Sequence, residues 1–137
     1  VEMVADYYPK IEQISVLFWD LNNLKKINDK FGHAMGDKVI EKLSSALAAH
    51  SSDRCRVYRI GGDEFLMIID DPEQEESETI IQSIQEKLKA DNANSQIKVS
   101  SAVGFALGSG ADILEVVKTA DTRMYENKKC EKGGREG

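Results

Sequence analysis

Arg56-Val57-Tyr58-Arg59-Ile60-Gly61-Gly62-Asp63-Glu64-Phe65-Leu66-Met67-Ile68-Ile69 is the stretch on which the reading of this chain turns. Residues 56–60 and 64–69 carry the β-branched, aromatic and apolar content of strands, and a glycine pair separates them. The segment therefore predicts a β-hairpin closed by a tight turn at Gly61-Gly62-Asp63. Two acids, Asp63 and Glu64, stand where the returning strand begins.

Upstream of the hairpin, Ser15 to Trp19 is a compact apolar run ending in Asp20, the pattern of a buried strand. Asn22 and Asn23 are expected to cap a short helix over Leu24 to Phe31. After breaks at Gly32 and Gly36, Asp37 is expected to cap a second helix, whose Val39, Ile40, Leu43 and Leu47 make a core-facing stripe. Downstream, Ile80, Ile81, Ile84 and Leu88 predict a helix, and Ile97 to Leu107 a strand region. Ile113, Val117, Ala120 and Met124 predict a last helix opened by Asp112, with Gly133 and Gly134 marking a frayed tail. Strand, helices, strand, strand, helix, strand, helix is the order of an α+β, ferredoxin-like (palm-like) fold: an antiparallel-containing sheet flanked by helices, with one extra helix. That topology lays the first strand antiparallel to the strand leaving the hairpin, so Asp20 and Asp63 are expected to be neighbours.

The 137 residues, 41% hydrophobic and 31% charged, have the composition of one globular domain, taken as residues 1–137. A chain of this length buries enough surface to fold without disulfides or structural metal. Cys55 and Cys130 are then expected to be plain thiols suited to a reducing cytoplasm. No apolar run approaches the roughly 20 residues of a membrane-crossing helix, so no direct membrane contact is expected. A net charge of -6 repels a phosphate polymer and argues against nucleic acid as a partner. Any phosphate site must be local. Lys25, Lys26 and Lys30, or Lys128, Lys129 and Lys132, offer one, and solvated helix faces are the alternative for both groups.

Asp20, Asp63 and Glu64 at one sheet edge repel one another unless a cation intervenes. Oxygen-only ligands of this kind suit Mg²⁺ or Mn²⁺, which bind through a few carboxylates together with substrate phosphates. A nucleoside triphosphate is thereby implied, and two such ions per active site would serve the attacking hydroxyl and the leaving pyrophosphate. Gly61 and Gly62, lacking side chains, let the turn lie against a bulky ligand. His33 and His50 read as a loop-organising residue and a helix-end cation, and Phe65 and Tyr125 as packing.

Gly61-Gly62-Asp63-Glu64-Phe65 is the signature of GGDEF domains, the diguanylate cyclase family. Asp20-Leu21-Asn22-Asn23-Leu24-Lys25-Lys26-Ile27-Asn28-Asp29, with Phe31-Gly32-His33 and Gly36-Asp37, resembles that family's nucleotide-binding segment. Ser100 to Gly104, Ala120-Asp121, Met124-Tyr125 and Lys128 resemble its later motifs, so the likeness runs from about residue 15 to about residue 132. The resemblance implies that Asp20, Asp63 and Glu64 are catalytic, with metal held by the Asp20 and Asp63 carboxylates and the backbone carbonyl of Leu21. It implies guanine recognition by Asn28 and Asp37. It implies phosphate contacts from Lys25, Lys128 and the backbone N–H groups of Asn23 and Leu24 at a helix start, where an anion is favoured. Two GTP-loaded copies of the domain would face each other, each 3′-hydroxyl attacking the opposite α-phosphate, to give cyclic di-GMP and two pyrophosphates. Upstream sensory or dimerisation domains in a parent protein would arrange that encounter.

Three departures stand beside the likeness. The family's opening helix, with its Thr-Gly-Leu and Asn-Arg motifs, has no counterpart here, so the sequence reads as lacking that segment. The Arg-x-x-Asp of the product-inhibition site is replaced by Ser52 and Cys55, so no inhibition through that site is expected. An arginine common four positions after the phosphate-binding lysine is Lys132, which keeps charge without a bidentate fork. The rival readings are a catalytically silent GTP-binding regulatory module and a different metal-dependent nucleotidyl transferase on a palm-like fold.

Overall fold

The structure, a computed structural model, describes residues 7–93, 95 and 97–136, with side chains as far as Lys129. Strands β1 (Ile14–Leu21), β2 (Cys55–Arg59), β3 (Glu64–Asp70) and β4 (Ser101–Gly108) form one sheet in the order β2-β3-β1-β4, every neighbouring pair antiparallel. Helices α1 (Leu24–Phe31), α2 (His33–Ala48), α3 (Glu76–Asn92) and α4 (Ile113–Glu136) flank it, with 3-10 turns at Tyr8–Lys10 and Gly110–Asp112. This is the α+β arrangement expected from the element order.

All of β1 is buried because both faces of the central strand are covered. Leu17, Trp19 and Leu21 pack with Phe65, Met67 and Ile69 of β3 against Leu43, Leu47, Ile84 and Leu88 of α2 and α3. On the other face Val16, Phe18, Leu66 and Ile68 meet Ile113, Ala120 and Met124 of α4. The strand period of two sorts the side chains between these cores. It also puts Asp20, two residues after Phe18, on the α4 face. Burial of each large apolar side chain contributes about 2 kcal/mol against its exposed state.

Gly104 sets how closely α4 approaches. A Cβ there would overlap the α4 backbone at Ala120, Arg123 and Met124. Arg123 donates to the Phe105 carbonyl at 2.8 Å, and the Asn127 side chain accepts from the Val103 N–H at 3.2 Å. This seating carries Lys128, one turn beyond Met124, to the end of β1.

Several local expectations are corrected. Asn23 stands before α1 with a left-handed backbone (φ +63°) and makes no side-chain cap. Asp37 lies inside α2, which begins at His33 directly after Gly32 (φ +92°). Gly36 does not break the chain; its missing Cβ makes room for the Asn28 side-chain oxygen. His33 therefore opens a helix. Residues 97–100 stay outside the ladder because the Asn92 amide takes both backbone groups of Val99 at 2.8 Å. Ser109, not Asp112, supplies a capping oxygen before α4, and that helix runs through Gly133 and Gly134 without fraying. The Cys130 and Lys132 side chains lie outside the described residues.

Candidate active site

The β1–β3 register decides the site. Asp20 stands opposite Glu64 on the face under α4. The Leu21 N–H donates to the Asp63 carbonyl at 2.9 Å, drawing the hairpin turn onto the end of β1. On the other side Ser101 donates its hydroxyl to the Asp20 carbonyl at 3.0 Å. Asp20 is thus brought to the same corner of the sheet as Asp63 and Glu64, more than forty positions later in the sequence.

The turn is braced from its own strand. Ile60 N–H donates to the Glu64 carbonyl at 3.0 Å. Arg59 donates to the carbonyls of Gly61 at 3.2 Å and Gly62 at 2.8 Å. A Cβ on Gly61 would crowd the Glu64 carboxylate, whereas one on Gly62 would meet nothing within 4 Å. Neither glycine has a positive φ, so the backbone itself does not demand them. Gly62 leaves open space beside the acids.

Asp20 is 8% exposed. Its Oδ2 accepts from Lys128 Nζ at 3.0 Å, and its Oδ1 is buried with no partner among the described residues. Burial pushes the Asp20 carboxyl above its ordinary range; Lys128 opposes that shift and Asp63 adds to it. Glu64 is also raised, by burial first and then by the charges of Asp20, Asp63 and Asp121. Asp121 was noted in the sequence only as part of a motif, and its role in this field follows from helical geometry that the sequence does not display. Among the described residues no three carboxylate, histidine or cysteine side chains converge closely enough to cage an ion alone. Such a corner fits a hard divalent cation whose shell is completed by ligand oxygens and water. An orphaned buried oxygen among like charges is the observation that supports the fit.

The remaining sequence candidates are grouped by helices rather than by the sheet. Asn23 and Leu24 stand at the start of α1, where the Ile27 N–H makes an early helix bond to the Asn23 carbonyl at 3.0 Å. Lys25 and Asp37 are exposed on α1 and α2. The Asn28 side chain sits against Gly36, the residue before Asp37 in α2. Tyr125, expected to pack, is 59% exposed and lines an open cavity of about 220 Å³ with Asp20, Lys128 and Lys129. Phe65 is buried as expected. Ser52 and Cys55 face each other through backbone bonds of 2.9 and 3.3 Å, and burial pushes the Cys55 thiol up to about 11. Among the described residues no helix is long and apolar enough to cross a membrane.

The family described as "Diguanylate cyclase, GGDEF domain" matches residues 4–134. Diguanylate cyclase DosC of Shigella sonnei is 38% identical over 121 residues, which cover 82% of this chain and 25% of that protein. Cyclic di-GMP phosphodiesterase PdeR of Escherichia coli is 34% identical over 127 residues, covering 90% and 19%. The chain thus spans a quarter or less of the length of these curated relatives. Among solved structures, the GGDEF domain of DgcB from Caulobacter crescentus in complex with c-di-GMP superposes with a TM-score of 0.76 at 25% identity, covering 86% of this chain and 73% of that one.

Proposed function

The chain belongs to the GGDEF domain family of diguanylate cyclases, and from that premise we propose that it condenses two GTP molecules into cyclic di-GMP with release of two pyrophosphates. The observation that carries the reading is the placement of Asp20 opposite Glu64, with the Asp63 carbonyl bonded to Leu21, at the one sheet corner beside the open Gly62 turn. Asp20, Asp63 and the Leu21 carbonyl would hold Mg²⁺ or Mn²⁺, which when bound supplies charge neutralisation on the phosphates and a lowered pKa for the attacking hydroxyl.

The chain's own groups then have distinct tasks. Asn28 and Asp37 hydrogen-bond the guanine edge from the α1–α2 pair. The N–H groups of Asn23 and Leu24, with Lys25 and Lys128, hold the phosphates. Glu64, its carboxyl raised by burial and neighbouring acids, serves as the proton acceptor. One domain positions one nucleotide, so the 3′-hydroxyl comes from GTP on a second copy. It attacks the α-phosphorus, a P–O bond forms, and pyrophosphate leaves with the electron pair of the broken bond. Ser52 and Cys55 offer no charge for product, so cyclic di-GMP does not inhibit through that position.

The test is a domain held as a dimer, incubated with GTP and Mg²⁺ and assayed for cyclic di-GMP. Asp63→Asn and Glu64→Gln should each lower product formation by about 100-fold or more. The likeness to a protein named as a phosphodiesterase favours one alternative, a GTP-binding regulatory module. GTP binding without product in the dimer would establish that alternative.

A further inference from the structure

Resting on Asp20 as a cation ligand, the geometry points to a second role for Lys128: its ammonium is the counter-cation of Asp20, and a divalent ion binds at that carboxylate only by displacing it. Lys128 Nζ lies 3.0 Å from Asp20 Oδ2, and the two side chains are 30% and 12% exposed. The pair therefore sits at the mouth of the corner and not on open surface. Asp63 and Glu64 stand on the hairpin side of Asp20, and Asp121 adds its charge to Glu64 from α4. Without Lys128 the buried Asp20 would face these acids with no counter-charge within contact distance among the described residues.

Two cations cannot share this place. An ion entering on the buried Oδ1 of Asp20 meets the ammonium already on Oδ2, and like charges at that range repel strongly in a partly dry site. Lysine is suited to yield. Its charge is a compact point on a flexible four-carbon stem, and it has somewhere to go, because Lys128 also borders the open cavity of about 220 Å³. A triphosphate arriving there attracts Lys128 away from Asp20 and frees the carboxylate for the metal. Metal and nucleotide then bind cooperatively through one side chain that both must move, a coupling that acts equally in both directions.

The experiment is Mn²⁺ binding to the nucleotide-free domain, read from the electron paramagnetic resonance signal of free Mn²⁺. Lys128→Gln should tighten Mn²⁺ about three- to tenfold, the size of a partly buried ion pair, while weakening a non-hydrolysable GTP analogue. Lys129→Gln removes the same charge from the same cavity without touching Asp20 and should change Mn²⁺ affinity by less than about twofold. Lys128→Arg, which keeps the charge and grips a carboxylate with two donors, should bind Mn²⁺ no more tightly than the wild type. It also decides the matter if Lys128→Gln does not fold, because an arginine variant that binds Mn²⁺ more tightly overturns the idea. Unchanged or weaker Mn²⁺ binding by a folded Lys128→Gln variant overturns it, as does an equal gain in Lys129→Gln. Asp20→Asn with wild-type Mn²⁺ affinity would instead remove the premise that Asp20 is a ligand.

Discussion

The two ends of the β1–β3 ribbon treat a buried aspartate in opposite ways. Ile14 stands opposite Asp70 at one end and Asp20 opposite Glu64 at the other, with Asp70, Asp20 and Glu64 on the same face of the sheet. Asp70 and Asp20 are 6% and 8% exposed, and each has one buried oxygen with no partner among the described residues. Their surroundings separate them. Asp70 Oδ2 accepts from the Tyr7 hydroxyl at 2.7 Å and from Arg56 at 3.0 Å, and Arg56 lies over the Tyr7 ring at 4.3 Å while also donating to Tyr7 and to the Asp53 carbonyl. Asp20 has one flexible lysine and two acidic neighbours. An orphaned oxygen therefore does not mark a site by itself. A planar guanidinium wedged among aromatics fixes a carboxylate for good, whereas a lone ammonium among competing acids leaves it available for exchange.

The comparison breaks if the same substitution does the same thing at both ends. Asp70→Asn should destabilise the domain by about 2 kcal/mol in denaturant unfolding, because Arg56 loses its ionic partner while Tyr7 keeps its place. Asp20→Asn should stabilise the metal-free domain by about 1 kcal/mol at pH 7, since Lys128 can swing to water and the repulsion from Asp63 and Glu64 is relieved. The sign follows from the raised Asp20 carboxyl. A raised value means that the protonated form favours folding, a contribution fully present below the unfolded-state pKa and lost as the pH climbs through the folded-state value. The advantage of Asp20→Asn over the wild type should accordingly shrink as the pH falls toward about 4, the ordinary carboxylate range. Glu64 is raised for the same reasons and contributes with the same sign.

Gly62→Ala sharpens the contrast from the other side. A methyl group there meets nothing, and no positive φ forbids it, so stability should stay within about 0.5 kcal/mol of wild type. GTP-analogue affinity, measured calorimetrically, should fall if that open space is where the ligand lies. Unchanged affinity would place the ligand elsewhere.

The acidic end was far more legible in the sequence than the clasped one. Asp20, Gly61-Gly62 and Asp63-Glu64 sit at strand ends beside turn residues, and topology alone brings strand ends together. Tyr7, Arg56, Tyr58 and Asp70 carry no such punctuation; they meet because the 3-10 turn after Tyr7 docks on the sheet, with Tyr8 and Tyr58 hydroxyls 2.8 Å apart. Gly36 misled because a glycine that breaks a helix and one that admits a neighbour's side chain look alike in sequence. The Lys128–Asp20 contact spans 108 positions and depends on the close approach at Gly104, a distance that no local pattern encodes. Helix periodicity did assign the core-facing stripes correctly, since Val39, Leu43, Leu47, Ile84, Leu88, Ala120 and Met124 are buried against the sheet.

Thermal unfolding with and without Mn²⁺, run on the wild type, Asp20→Asn and Asp70→Asn, addresses the central contrast most directly. A ligand that binds only the folded state raises the midpoint by an amount that grows with the logarithm of its concentration over its dissociation constant. The wild type and Asp70→Asn should both gain from Mn²⁺, the latter from a lower start, while Asp20→Asn starts highest and gains almost nothing. An Asp20→Asn midpoint that rises with Mn²⁺ as far as the wild type's would contradict the assignment of this corner as the cation site.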